Sequence, residues 1–225
     1  MSTPGIQHLT KSEIVWRATN TCEAHGHSYL DHPNCFIKEQ NRPPRLGFLD
    51  IETTNLKADF GIMLSYCIKE AGGRILEGVI TPEQLTKNKA GDEDRQVVKK
   101  AIQDLGTFDK IVTYYGKRFD VPFLRTRALT MGIPFPNYGA LKHIDLYDTI
   151  KHRFRLSSSR LEQACRVLLG DTNKTKIEYK FWRAAARGDK GALKYIITHN
   201  RFDVIDLERL FNRVINFSRK NDQSI

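Results

Sequence analysis

The chain has 225 residues and a mass of 25.9 kDa, enough to bury one sizeable core with an appendage. Its 40% apolar content excludes wholesale disorder, and neither a membrane-length apolar run nor a signal-peptide core follows the polar start Met1-Ser-Thr-Pro-Gly, so a cytoplasmic protein without membrane contact is expected. The 36 Lys and Arg outnumber 26 Asp and Glu, a net charge of +10 that suits a polyanionic partner such as nucleic acid, while four cysteines are too few for a disulfide scaffold.

Ser12 is expected to cap a short helix over residues 12–17. Between residues 22 and 35 lie Cys22-x-x-His25 and His32-x-x-Cys35, separated by six residues. Two-residue gaps let both side chains of each pair reach one ion, so Cys22, His25, His32 and Cys35 could form a tetrahedral Cys₂His₂ site for structural zinc. His27 could replace either histidine, and a polar loop with incidental histidines is the bland alternative. Such a segment, residues 1–37, could dock a protein partner or DNA, or brace the larger domain. Residues 38–45, polar and containing Pro43-Pro44, read as a linker.

The next stretch, Leu46-Gly-Phe-Leu-Asp-Ile-Glu-Thr-Thr54, opens as a buried strand and places Asp50 and Glu52 two positions apart. Alternation puts both carboxylates on one face and turns Ile51 to the other. Neighbouring carboxylates repel, and a hard divalent cation relieves that repulsion; two solvated acids at a strand end are the competing account. Strands over 61–69 and 74–80, joined at Gly72-Gly73, complete an antiparallel meander. A helix is expected over 92–105 and a fourth strand over 110–115.

That strand runs into Tyr115-Gly-Lys-Arg-Phe-Asp120, with Asp120 just before a helix start at Val121-Pro122. Tyr115, Lys117, Arg118, Phe119, Arg125 and Arg127 interleave cations with aromatics, as a groove for a single strand would. Phe119 could equally pack against the sheet, and Asp120 could merely cap its helix. A fifth strand spans 143–147 with Asp145 near its end, and Ser157-Ser-Ser159 signals a helix over about 160–169. The last helix, from Lys190 to about Phe217, carries His199 and Asp203 one turn apart on one face, with Asp206 nearby. Cys67 and Cys165 sit in apolar patterns and are expected as buried thiols. Residues 218–225 form a polar tail.

Asp50-Ile-Glu52-Thr-Thr, Tyr115-Gly-Lys-Arg-Phe-Asp120 and His199-Asn-Arg-Phe-Asp203-Val resemble the three motifs of the DEDD exonuclease superfamily, above all its stand-alone predicted RNase H-like exonucleases. The resemblance covers residues 46–217. It implies an α/β, RNase H-like fold: a five-stranded mixed sheet, antiparallel meander then parallel strands, flanked by helices. It also implies a 3′→5′ exonuclease acting on single-stranded 3′ ends of DNA or RNA. Asp50, Glu52, Asp120 and Asp203 would hold two Mg²⁺ or Mn²⁺ ions, and His199 would be the general base. Thr53, Tyr115, Lys117, Arg118, Phe119 and Arg125 would contact substrate. In the superfamily the last motif carries a tyrosine or a histidine, the histidine one residue further from the final aspartate. His199, with three residues between it and Asp203, stands at what looks like the tyrosine position. A structure-selective endonuclease and a non-catalytic binding module are the alternative readings.

Overall fold

A computed structural model describes residues 11–23, 25–40, 45–137, 140–173, 178–218 and 223–224. The chain divides into two compact units, residues 1–44 and 45–225. The polar start, Pro43-Pro44 of the expected linker and most of the polar tail lie outside the described residues.

The first unit holds helices α1 (Lys11–Thr19) and α2 (Pro33–Gln40) around a Cys/His loop. Since α1 already begins at Lys11, Ser12 is its second residue and not its cap. Helix α2 continues to Gln40, into the stretch read as linker. Trp16 and Tyr29 stack at 5.5 Å with Phe36 edge-on to both, and the Arg17 guanidinium lies 3.6 Å above the Phe36 ring.

The second unit is built on a sheet. Strands β1 (Leu46–Thr53), β2 (Met63–Glu70) and β3 (Ile75–Val79) form the meander; β4 (Lys110–Thr113) and β5 (Lys142–Asp145) add parallel strands on the other side of β1. These five strands run in the order β3-β2-β1-β4-β5, and a two-residue strand, β6 (Gln223–Ser224), adds antiparallel to β5 within the expected tail. Gly72, at φ +64°, makes the tight turn between β2 and β3 that an L side chain would strain.

Alternation along β1 distributes the core. Leu49 and Ile51 pack on one face with Val98, Ala101 and Leu105 of α4 (Arg95–Leu105) and with Leu124 and Ala128 of α5 (Asp120–Thr130). Phe48 points to the other face, into a cluster with Val112 and with Ile197, Val204, Leu207 and Phe211 of α9 (Lys190–Val214). Asp50 and Glu52 share parity with Phe48 and so face α9, while Ile51 is buried on the opposite side, as the alternation requires. Between Glu52 and Thr53 the pairing of β1 with β2 shifts register, an irregularity of the kind that ends regular pairing beside functional groups.

Four further short helices lie among the described residues of the unit: α3 (Pro82–Lys87), α6 (Leu146–Arg153), α7 (Leu161–Leu168) and α8 (Tyr179–Ala185), the last just before the long final helix. The serine run before α7 does not cap it through a side chain; Ser158 Oγ instead accepts from the Arg160 amide, and the Ser159 carbonyl from the Tyr114 hydroxyl. Cys67 and Cys165 are buried, as expected, and burial pushes the Cys67 thiol well up. Among the described residues no helix is long and apolar enough to cross a membrane.

Candidate active site

The site forms where β1 outruns β4. Parallel pairing with β4 stops at Phe48, which leaves the following backbone amides on that side of β1 without a strand partner. Asp120 takes one of them: the Ile51 N–H donates to its Oδ1 at 3.1 Å. Asp120 is the first residue of α5, not its cap, and is 3% exposed. Burial, against the opposing Ile51 N–H and reinforced by the charges of Asp145 and Asp203, pushes its carboxyl up to about 7.

Helix α9 crosses the same face of β1. His199 and Asp203, four residues apart, present their side chains together, and both are buried. His199 Nε2 lies 3.7 Å from Glu52 Oε1 and 3.5 Å from Asp203 Oδ2. One ligand atom from each of Glu52, His199 and Asp203 falls within 4.8 Å of the others, compact enough to share an ion. Asp50 joins Asp203 in lining a cleft of about 550 Å³, whose other walls are Tyr114, Tyr115, Tyr147 and residues 158–162.

Two residues to which the motifs assign no role hold this arrangement. Asn200, fully buried, donates from Nδ2 to Asp50 Oδ2 at 3.1 Å and to the Asp50 carbonyl at 3.3 Å. Asp145 ends β5, and its carboxylate accepts the backbone N–H groups of Tyr115 (2.7 Å), Lys117 (3.0 Å) and Tyr147 (3.2 Å). It therefore clamps the turn after β4 to the start of α6. Burial pushes the Asp145 carboxyl up, while the Lys117 and Tyr115 amides pull the other way. Tyr115 sits at φ +70°, in the left-handed region that a non-glycine residue adopts only when its surroundings enforce it. An Asp at the end of a strand facing a Tyr-Gly turn is the sequence signal that could have found the clamp.

The remaining candidates scatter. Arg118 lies over the rings of Tyr115 and Tyr147 at 5.5 and 5.8 Å and reaches Asp148 at 2.9 Å. Lys117 Nζ lies 3.7 Å from the same Asp148. Thr53 donates its hydroxyl to the Asn55 carbonyl at 2.8 Å. Phe119 is half-buried against the core beside Phe123, and Arg125 stacks over Phe135. Arg127 is internal: its Nε donates to Asp94 at 3.0 Å, so it belongs to the core and not to a strand-binding groove. Asp206 also leaves the site, accepting from Thr172, Asn173 and Arg209 to anchor the segment after α7.

In the first unit, Cys22, His25, His32 and Cys35 place one ligand atom each within 4.8 Å of one another. His27 is not of that group; its ring packs 4.7 Å from His32.

Comparison with known proteins agrees with this architecture. Residues 47–215 match the RNase_H superfamily. Among curated proteins, a DNA polymerase of Methanocaldococcus jannaschii is 29% identical over 153 residues, which cover 55% of this chain and 9% of the polymerase. Among solved structures, the family B DNA polymerase of the hyperthermophilic archaeon Pyrobaculum calidifontis superposes with a TM-score of 0.63 at 18% identity, covering 77% of this chain and 25% of that one. The chain thus spans about a tenth of the curated relative and a quarter of the solved one, and at that identity the structural likeness is one of fold. With three-quarters of its length matched and a five-stranded mixed sheet carrying clustered acids on its central strand, the chain belongs to the RNase_H superfamily and has its RNase H-like nuclease fold.

Proposed function

We propose that the protein is a divalent-metal-dependent 3′→5′ exonuclease that hydrolyses single-stranded DNA or RNA. The observation that carries this reading is the convergence of Glu52, His199 and Asp203 within 4.8 Å beside Asp50 and the buried Asp120. The carboxylates of Glu52 and Asp203 beside Asp50 and the buried Asp120 are hard oxygen donors whose mutual repulsion a divalent cation relieves, so the residues present fit divalent metal. Asp50, Glu52, Asp120 and Asp203 would hold two Mg²⁺ or Mn²⁺ ions. When bound, such a pair supplies Lewis-acid stabilisation of the attacking and leaving oxygens of an in-line displacement.

The protein's own groups do the rest. The buried His199 stands between Glu52 and Asp203, where its imidazole would accept the proton of an attacking water. Asn200 fixes the rotamer of Asp50. Tyr115 and Tyr147, with ring centroids 4.9 Å apart, border the cleft with Arg118 and Lys151 over them. Aromatic faces would stack bases there while the cations neutralise phosphates.

The test is a 5′-labelled single-stranded DNA and its RNA counterpart, incubated with Mg²⁺, Mn²⁺ or EDTA beside Asp203→Ala, with a circular single strand as a third substrate. A metal-dependent ladder shortening from the 3′ end, absent in Asp203→Ala and on the circle, is expected. Cleavage of the circle would replace the exonuclease with an endonuclease, and binding without cleavage would remove the enzyme altogether.

A further inference from the structure

Among its described residues the first unit has almost no buried core. The only buried apolar side chain among them is Cys22, while the large buried side chains described in the chain belong to the second unit. Trp16, Tyr29 and Phe36 stack but remain partly exposed. Units this small and this poor in buried area need a staple. No disulfide joins Cys22 to Cys35.

The four candidate ligands have the spacing of a filled coordination shell. Zinc bonds of about 2.3 Å to sulfur and about 2.0–2.1 Å to nitrogen put the sulfur–nitrogen edges of a tetrahedron near ~3.6 Å. The observed edges are 3.8 Å from Cys22 Sγ to His25 Nδ1, 3.4 Å from Cys35 Sγ to His25 Nδ1 and 3.5 Å from Cys35 Sγ to His32 Nδ1. Both histidines offer Nδ1. Gly26, at φ +69°, turns the chain back so that its N–H meets the Cys22 carbonyl at 2.9 Å, and the Cys22 N–H reaches the His27 carbonyl at 2.8 Å. Cys22-x-x-His25-Gly26 is thus a closed knuckle, and Pro33 starts α2 so that Cys35 falls in its first turn.

We infer that Cys22, His25, His32 and Cys35 form a closed tetrahedral Zn²⁺ site, both histidines ligating through Nδ1, and that this ion holds the first unit folded. Four protein ligands leave no open position, so the site is structural and separate from the carboxylate chemistry. Charge supports that division. Residues 1–44 hold four Lys or Arg and four Asp or Glu, so the whole +10 resides in residues 45–225. Two thiolates and one Zn²⁺ add nothing to that neutrality. The unit therefore contributes no net positive charge toward a polyanion, and the ion's work there is folding.

The experiment is metal analysis of the full chain after exhaustive dialysis against Mg²⁺, followed by Co²⁺ substitution. One zinc per chain is expected, with the cobalt form showing intense tetrahedral d–d bands and thiolate-to-cobalt charge transfer. His27→Ala should keep the full stoichiometry, and Cys22→Ser/Cys35→Ser should lose it while circular dichroism of the second unit persists. An octahedral cobalt spectrum without thiolate charge transfer overturns the proposal even if the double variant fails to fold. So does zinc retained in that variant, because the ion would then sit on the carboxylates. A folded, zinc-free wild type overturns it as well.

Discussion

His199 and Asn200 are adjacent in sequence and act on different partners, which makes them separable. Removing the imidazole with His199→Ala takes away the proposed proton acceptor and should lower single-turnover cleavage of a labelled oligonucleotide by roughly 10²–10⁴-fold. His199→Tyr should retain more activity than His199→Ala if His199 stands at the tyrosine position of the motif it resembles; equal loss in both would remove the positional argument. Asn200→Ala frees the Asp50 carboxylate from its 3.1 Å amide contact, a bond to a charged group worth about 1.5–3 kcal/mol, so kcat should fall roughly 10- to 100-fold with the helix content unchanged. His143 gives a pH signature. It is buried, its Nε2 lies 2.7 Å from Thr113 Oγ1, and burial with the Lys117 charge brings its pKa down to about 3. Below its ordinary value near ~6.5 the unfolded chain takes up a proton that the folded chain refuses. Stability is therefore lost as pH falls from there toward 3, by up to ~1.4 kcal/mol per pH unit. Asp120, raised to about 7, contributes with opposite sign in the metal-free protein, so the His143 share is the difference between wild type and His143→Gln in urea unfolding at pH 7 and pH 5. If the two lose stability in parallel, His143 is not the cause. The shared face of Asp50 and Glu52 was legible because strand alternation fixes which side chains point together, while Asp120 and Asp203, on α5 and α9, were read through the resemblance of their motifs. Asn200 was not legible, because its partner Asp50 lies 150 residues away and an amide in a helix announces nothing.

The turn after β4 shows how one element positions another. Gly116 follows Tyr115, and a Cβ there would lie 2.4 Å from Thr113 Cβ and 2.5 Å from its Oγ1. Thr113 cannot yield, since it is fully buried in β4 and bonded to His143. Asp145 holds the amides on both sides of the glycine, so the strain would pass to Tyr115 and onward to Asp120 at the start of α5. Gly116→Ala should therefore cost about 1–3 kcal/mol in urea unfolding and depress cleavage as well. A variant as stable and active as wild type would mean that the turn is not built this way. β1, β2, α4 and α9 could be read from their apolar pattern because each buries a run of apolar side chains, whereas β5 turns His143 and Asp145 inward and its four residues carry no such run. Helix α6 could not, for Asp145 is at once the last residue of β5 and the N-cap of α6, accepting the Tyr147 amide, and no loop separates the two elements. Helix α3 is too short for a periodic signal, yet it carries a start signature in Thr81, Pro82 and Gln84 that forms a complete capping box. Helix α2 was hidden inside a segment whose histidines and cysteines speak of metal before they speak of helix.

At the scale of the whole molecule, charge is segregated: all of the net +10 lies in the unit that carries the cleft, and none in residues 1–44. If the polyanion is the substrate of that cleft, binding must be driven in large part by counterion release. For a single strand, log K then falls linearly with log salt with a slope of about −0.7 per phosphate neutralised. Affinity of the cleavage-deficient Asp203→Ala protein for a labelled single strand, measured between ~50 and ~200 mM salt, should show such a slope. Arg118 makes the assignment local. Its guanidinium is pinned over Tyr115 and Tyr147 by Asp148, so Arg118→Gln should reduce the slope by about one phosphate and weaken binding about equally for every sequence. Lys11→Gln, on α1 of the neutral unit, should leave the slope unchanged. Were Lys11→Gln to alter the slope and Arg118→Gln to leave it untouched, the strand would be running over the first unit and not along the tyrosine-lined cleft, and the electrostatic division of labour between the two units would fall with it.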